Sequence, residues 1–227
     1  RTVLEWLNRT PAGTADPQFG LDVSFYLFEL PFYRSVLAFA SAVVLIAIIS
    51  ALATSYLYGA IRVSGREVRI SRSARIQLAS MGAIYLALQA VSIWLDQYAT
   101  MATSTTTDLI TGASYADVNA VIPGRAILAG IAAFVAILFI VTAVIGRWRL
   151  PIVGTALLII SGILIGGVYP WIIQKFQVDP SARSVESTYI DRNIQATRDA
   201  YCVADVTETA YKAKTDAEPG ALRNDAE

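Results

Sequence analysis

Histidine is absent from these 227 residues, and cysteine occurs once, at Cys202. Those two absences exclude a His/Cys zinc site and a disulfide within the chain. They also exclude Ser-His-Asp and Cys-His nucleophiles built from these residues alone. Charge is scarce too: Asp, Glu, Lys and Arg make up 16% of the chain, against about 25% in soluble domains. Hydrophobic residues reach 55%, and mean hydropathy is +0.52. Ionisable side chains are missing altogether from the middle of four apolar runs, near 32–57, 76–95, 126–146 and 150–173.

A helix rises about 1.5 Å per residue, so roughly 20 apolar residues cross a hydrocarbon core of about 30 Å. Four runs of that length predict an all-α membrane protein, a bundle of four transmembrane helices. Residues 1–31 precede the bundle as an interfacial segment, 32–173 form it, and 174–227 open a further domain. In the first segment Val3, Leu4, Trp6 and Leu7 recur at helical spacing, and 11–20 is rich in turn formers. Phe25, Tyr26, Phe28, Phe32 and Tyr33 then crowd five rings before the first crossing. Aromatic rings favour the headgroup level, so this stretch reads as an interfacial or re-entrant anchor.

Arginine placement orients the bundle. Arg62, Arg66, Arg69, Arg72 and Arg75 lie between the first two crossings, opposed only by Glu67, and Arg147 and Arg149 fill the connection between the last two. The connection 96–124 contains no lysine or arginine. Positive residues stay on the cytoplasmic side, so the N-terminal segment, the 96–124 loop and the C-terminal tail are predicted to be extracytoplasmic, in a plasma membrane. The five arginines of the first connection serve as a topology signal that also meets anionic lipid headgroups. Nucleic acid is not an expected partner.

Gln89 is the most polar side chain well inside a run. Ion and proton paths use buried acidic or basic groups, so a self-contained pump is disfavoured. Gly162, Gly166 and Gly167 suggest a small-residue face for close helix packing in the last crossing. Pro170 is expected to kink or end that helix. Asp96, Asp108, Asp117 and Asn119 are oxygen donors of the kind Ca²⁺ takes, yet no twelve-residue calcium loop is present. Asp117 is instead expected to cap the following helix or pair with Arg125. No metal and no cofactor are expected.

Beyond 173 the chain turns polar, with seven Lys/Arg and ten Asp/Glu over 174–227. Thr188-Tyr-Ile-Asp191 has the form of a capping box, and a helix of about four turns is predicted from near Tyr189. Ile190, Ile194 and Tyr201 share one of its faces, which calls for a docking partner.

Four stretches together resemble uncharacterised protein family 0182, large multi-pass membrane proteins found notably in actinobacteria. They are Phe19-Gly-Leu-Asp-Val-Ser-Phe-Tyr-Leu-Phe-Glu-Leu-Pro-Phe-Tyr-Arg34, Gly112-Ala-Ser-Tyr-Ala-Asp-Val-Asn119, Gly166-Gly-Val-Tyr-Pro170 and Tyr189-Ile-Asp-Arg-Asn-Ile-Gln-Ala-Thr-Arg198. The resemblance implies the later part of a roughly seven-helix membrane region plus the opening of a large extracytoplasmic domain. It also implies glycine where this chain has Cys202. The family carries no assigned reaction. Residue 1 is arginine without a signal-peptide pattern after it, which fits a piece of a longer protein. The expected function is therefore non-enzymatic: a scaffold or anchor that binds lipids, other envelope proteins and the rest of its own polypeptide. The alternative is a component of a transporter for lipid or another envelope molecule.

Overall fold

The computed structural model describes residues 2–64, 67–102 and 112–206, with backbone only over 62–64 and 67–69. Arg66, Asp108 and the segment 207–227 lie outside the described residues. A short helix α1 (Thr2–Leu7) precedes four long ones: α2 (Phe25–Leu57), α3 (Arg72–Ala99), α4 (Asp117–Ile145) and α5 (Arg149–Val185). All four are long and apolar enough to cross a membrane. A separate polar helix, α6 (Ser187–Ala200), follows. The fold is the all-α membrane architecture expected, with one small addition. Between α2 and α3, strands β1 (Ile61–Ser64) and β2 (Glu67–Ile70) pair antiparallel, Arg62 opposite Arg69 and Val63 opposite Val68. Apolar residues at 61, 63, 68 and 70 alternate with polar ones, the period of a strand.

The four long helices form a row. α2 packs on α3, α3 on α4 and α4 on α5, with α3 and α4 as the central pair. Their seam is built from small residues. α3 buries Ala79, Ala83, Leu86 and Ala90, and α4 buries Leu128, Ala132, Val135 and Ala136. Phe139 closes over Gly82, where a Cβ would stand 2.7 Å from its ring. In lipid, helices attract chiefly by such close van der Waals packing. The outer faces of α2 and α5 stay almost bare of intrachain contacts.

Three of the long helices contain π turns, and each of these turns stands before a proline. Residues 25–29, 117–121, 164–168 and 174–178 are π-helical, and Pro31, Pro123, Pro170 and Pro180 follow two positions later. The residue before each proline donates its N–H five residues back: Leu30 to Phe25, Ile122 to Asp117, Tyr169 to Leu164 and Asp179 to Gln174. Proline has no N–H, and its ring crowds the carbonyl four residues earlier. A widened turn relocates that carbonyl and lets the helix continue. α5 therefore runs on past Pro170, and the aromatic stretch from Phe25 supplies the opening turns of α2.

Candidate functional site

The end of the row opposite the hairpin gathers polar residues from every part of the chain. Asp16 is buried in a turn, where its Oδ2 accepts the N–H of Gln18 at 3.1 Å, that of Phe19 at 2.7 Å and the Tyr26 hydroxyl at 3.2 Å. Asp22 ties down the same segment, accepting the N–H groups of Ala12 and Gly13 at 3.0 Å and of Ser24 at 2.8 Å. Hydrogen bonding from Ser24 is the largest influence on its carboxyl, ahead of the Ala12 N–H, and the pKa falls from the usual 3.8 to about 2. The rings of Phe19 and Phe25 lie 4.8 and 5.6 Å from Tyr98, so the N-terminal segment is clamped to the end of α3.

Across the cleft, α4 begins with a reciprocal cap. Ser114 donates its N–H and hydroxyl to Asp117 Oδ2 at 3.0 and 2.9 Å, and Asp117 returns its N–H to Ser114 Oγ at 3.3 Å. This is a capping box, Ser114-x-x-Asp117. Asp117 thus caps the helix as expected, while Arg125 bonds the Asp96 carbonyl and Thr100 Oγ1 instead. The predicted box at Thr188–Asp191 does not form: α6 starts at Ser187, with Glu186 as its flanking residue and no side-chain cap. Glu186 has another occupation. Both of its carboxylate oxygens accept the Tyr115 N–H at 3.3 Å. Tyr189 then meets the Tyr115 ring edge-on at 6.1 Å, and its hydroxyl takes the Asn119 amide at 3.4 Å.

Between these walls lies a cleft of about 190 Å³, lined among others by Asp16, Gln18, Gly112, Tyr189, Arg192 and Asn193. Gly112 has φ +130°, and a Cβ there would stand 4.0 Å from Asn193 Nδ2. Arg192 stacks over Tyr189 at 5.6 Å, which leaves its guanidinium edge as a donor set facing the cleft. Arginine, two amides, a phenol and the Asp16 carboxylate together suit recognition of a polar group that both donates and accepts. No three His, Cys, Asp or Glu side chains come together among the described residues.

The sequence-predicted residues distribute unevenly. Ile190, Ile194 and Tyr201 are 37%, 47% and 76% exposed, and α6 meets the rest of the chain at its start, through Glu186 and Tyr189. Gly166 makes ordinary contact with Leu128, and Gly162 and Gly167 have nothing within 4 Å beside them. The glycines in close approach are Gly82, Gly124, Gly146 and Gly154. Arg62 and Arg69 face each other across the hairpin register, and Arg72 is exposed at the start of α3. Arg75 lies against Gly146, the left-handed C-cap of α4. Sequence reasoning missed Asp16, Glu186, Arg192 and Asn193, whose roles depend on contacts between distant segments.

The four stretches that carry the family resemblance meet here. Gly112–Asn119 and Tyr189–Arg198 line the cleft, Phe19–Arg34 follows directly on its Asp16–Gln18 wall, and the π turn at 164–168 packs against that at 117–121. A family model described as Uncharacterised protein family (UPF0182) matches residues 1–227. A UPF0182 protein of Clavibacter michiganensis subsp. michiganensis is 65% identical over 226 residues, covering 100% of this chain and 23% of the relative. Those of Leifsonia xyli subsp. xyli and Tropheryma whipplei are 57% and 48% identical, covering 100% and 99% of this chain and 23% of each relative. The chain therefore spans less than a quarter of the length of these curated relatives. No solved structure matches it.

Proposed function

The chain belongs to the uncharacterised protein family UPF0182, and from that premise we propose that its spans form a non-enzymatic scaffold. They anchor an extracytoplasmic region in the plasma membrane and hold it against other envelope proteins. The observation that carries this reading is the posture of α6. The start of the helix is tied to the head of α4 through Glu186 and Tyr189, while Ile190, Ile194 and Tyr201 stay exposed. A helix of this length is marginal in water by itself. Here it is tethered at its first turn, and it presents apolar side chains outward. In the scaffold the bare flank of α5, with Gly162 and Gly167, packs on helices from the rest of the polypeptide. The arginine-rich end is cytoplasmic and the cleft end extracytoplasmic.

The test is mild-detergent extraction of a full-length relative, followed by native mass measurement of wild type and Ile194→Asp. The expected wild-type mass exceeds that of one polypeptide, and the variant sheds a subunit, because burying an unpaired carboxylate in that contact costs several kcal/mol. A wild type that runs as a single polypeptide would overturn the scaffold reading.

A further inference from the structure

An apolar groove of about 270 Å³ runs between α4 and α5 at the arginine-rich end of the row. Phe134, Val135 and Leu138 line it from α4, and Val153 and Leu157 from α5. Gly154 lets the helices come together: a Cβ there would stand 3.0 Å from Leu138 Cδ1 and 3.3 Å from Val135 Cγ1. One charged residue lines the groove, Arg149, in the first turn of α5. From Arg149 to Leu157 is about 12 Å along the helix. The groove is therefore apolar along two turns and cationic at one end.

Nothing among the described residues answers that charge. Among the described residues no carboxylate pairs with Arg149. The two connections at this end carry seven arginines against one carboxylate, Glu67. Two buried donors at the same turn also have no acceptor among the described residues, Arg75 Nε and Trp148 Nε1. Arg75 reaches the turn from α3, so close that a Cβ on Gly146 would stand 2.5 Å from its Nη1. Buried donors in native proteins are almost always satisfied, so an acceptor belongs here. Tryptophan beside it marks the headgroup level of a bilayer.

We propose that the groove holds one anionic phospholipid, with its phosphate on Arg149 and an acyl chain laid along Val153 and Leu157. A phospholipid supplies both halves of the complement in one molecule, acceptor oxygens for the arginine turn and methylenes for the groove. A neighbouring apolar helix would fill the groove and leave the cationic end unanswered. The proposal needs only that the spans cross a bilayer, and it stands apart from the scaffold reading.

The test uses a full-length relative, delipidated in detergent and titrated with phosphatidylglycerol or phosphatidylcholine under native mass spectrometry. Wild type, Arg149→Gln, Arg72→Gln and Val153→Trp are compared. The tightest phosphatidylglycerol site should weaken about five- to tenfold in Arg149→Gln, the worth of one arginine beside a phosphate. It should persist in Arg72→Gln, and Val153→Trp should lose it by filling the groove. If Arg149→Gln and Arg72→Gln weaken phosphatidylglycerol equally, the preference belongs to the basic surface as a whole and the proposal fails. A photo-crosslinker at Val153 that captures another segment of the polypeptide instead of lipid overturns it as well.

Discussion

Arg34 and Asp96 meet at 3.0 Å, joining the third turn of α2 to the last turn of α3. The backbone carbonyl of the same Asp96 accepts from Arg125 of α4, which also donates to the buried Thr100 hydroxyl at 2.8 Å. Three membrane helices are thus pinned together within one polar layer, directly beneath the cleft. The two arginines differ in value because their surroundings differ. Arg34 is half exposed, and such a pair contributes about 0.2–1 kcal/mol. Arg125 is partly buried and serves two acceptors, and a hydrogen bond to a charged group is worth about 1.5–3 kcal/mol. Thermal denaturation in detergent should rank Arg125→Ala well below Arg34→Ala. Equal melting temperatures would show that the layer does not couple the helices.

Glycine substitutions separate packing inside the row from packing against something outside it. Gly124→Leu would drive a side chain into Ile165, whose Cγ2 already lies 3.0 Å from an added Cβ and whose carbonyl lies at 3.4 Å. Overpacking of this kind costs about 1–3 kcal/mol. Gly162→Leu meets open space within the chain. In the isolated segment only Gly124→Leu should lower the melting temperature. In a full-length relative Gly162→Leu should lower it too, because the bare flank of α5 is then occupied. If Gly162→Leu leaves the full-length protein unchanged, that flank faces lipid.

The spans were legible because their signal is composition over twenty residues, which neighbours in space do not alter. The Asp117 cap was legible for the opposite reason, being wholly local. What escaped lies between those scales. The π turns follow from prolines whose effect on a helix depends on whether the chain can widen one turn, and Pro170 alone did not reveal that α5 continues. Ala79, Ala83, Ala132 and Ala136 form the central seam, although the glycines of α5 had looked the better small-residue face. The cleft was the least legible part. Glu186 and Tyr115 are 71 residues apart, and no spacing rule joins a flanking glutamate to a distant backbone N–H. The docked face of α6 was likewise hidden, because its polar residues, not its isoleucines, hold it to the bundle.

The hairpin end and the cleft end should face opposite compartments. Ser64→Cys, in β1, is expected to resist an impermeant thiol reagent in intact cells. Ser104→Cys, in the arginine-free connection, is expected to react. Moving arginine across the bilayer is costly, which sets the direction. The reverse labelling pattern would overturn the orientation.

Asp22 should keep the N-terminal segment folded far into acid. Its folded pKa is depressed, to about 2 from the usual 3.8, by hydrogen bonds from Ser24 and then from the Ala12 N–H. A depressed carboxyl stabilises the fold above its unfolded pKa, and that contribution is lost as pH falls through the folded one. The contribution is therefore full above about pH 4 and fades toward about pH 2. Pepsin cleavage at Phe19 or Leu21 should be slow at pH 4 in wild type and fast in Asp22→Ala. Near pH 2 the two rates should converge. Equal rates at pH 4 would mean the carboxylate does not hold the turn.

Cys202 is the one described residue other than glycine with a positive φ, at 54°. It closes α6. Its N–H donates to Asp199 O at 3.2 Å, and the Val203 N–H donates to Arg198 O at 2.9 Å. Those two bonds make a Schellman motif, whose turning residue is left-handed and usually glycine. A side chain there costs roughly 1–2 kcal/mol, because Cβ crowds the following carbonyl. The thiol is exposed and free, so replacing it sacrifices no buried contact. Cys202→Gly should therefore strengthen the end of α6 by about 1 kcal/mol, slowing amide exchange at Cys202 and Val203 several-fold. Cys202→Ala retains the Cβ and should leave exchange as it is. If alanine slows exchange as much as glycine does, the strain lies in the thiol's surroundings and not in the backbone.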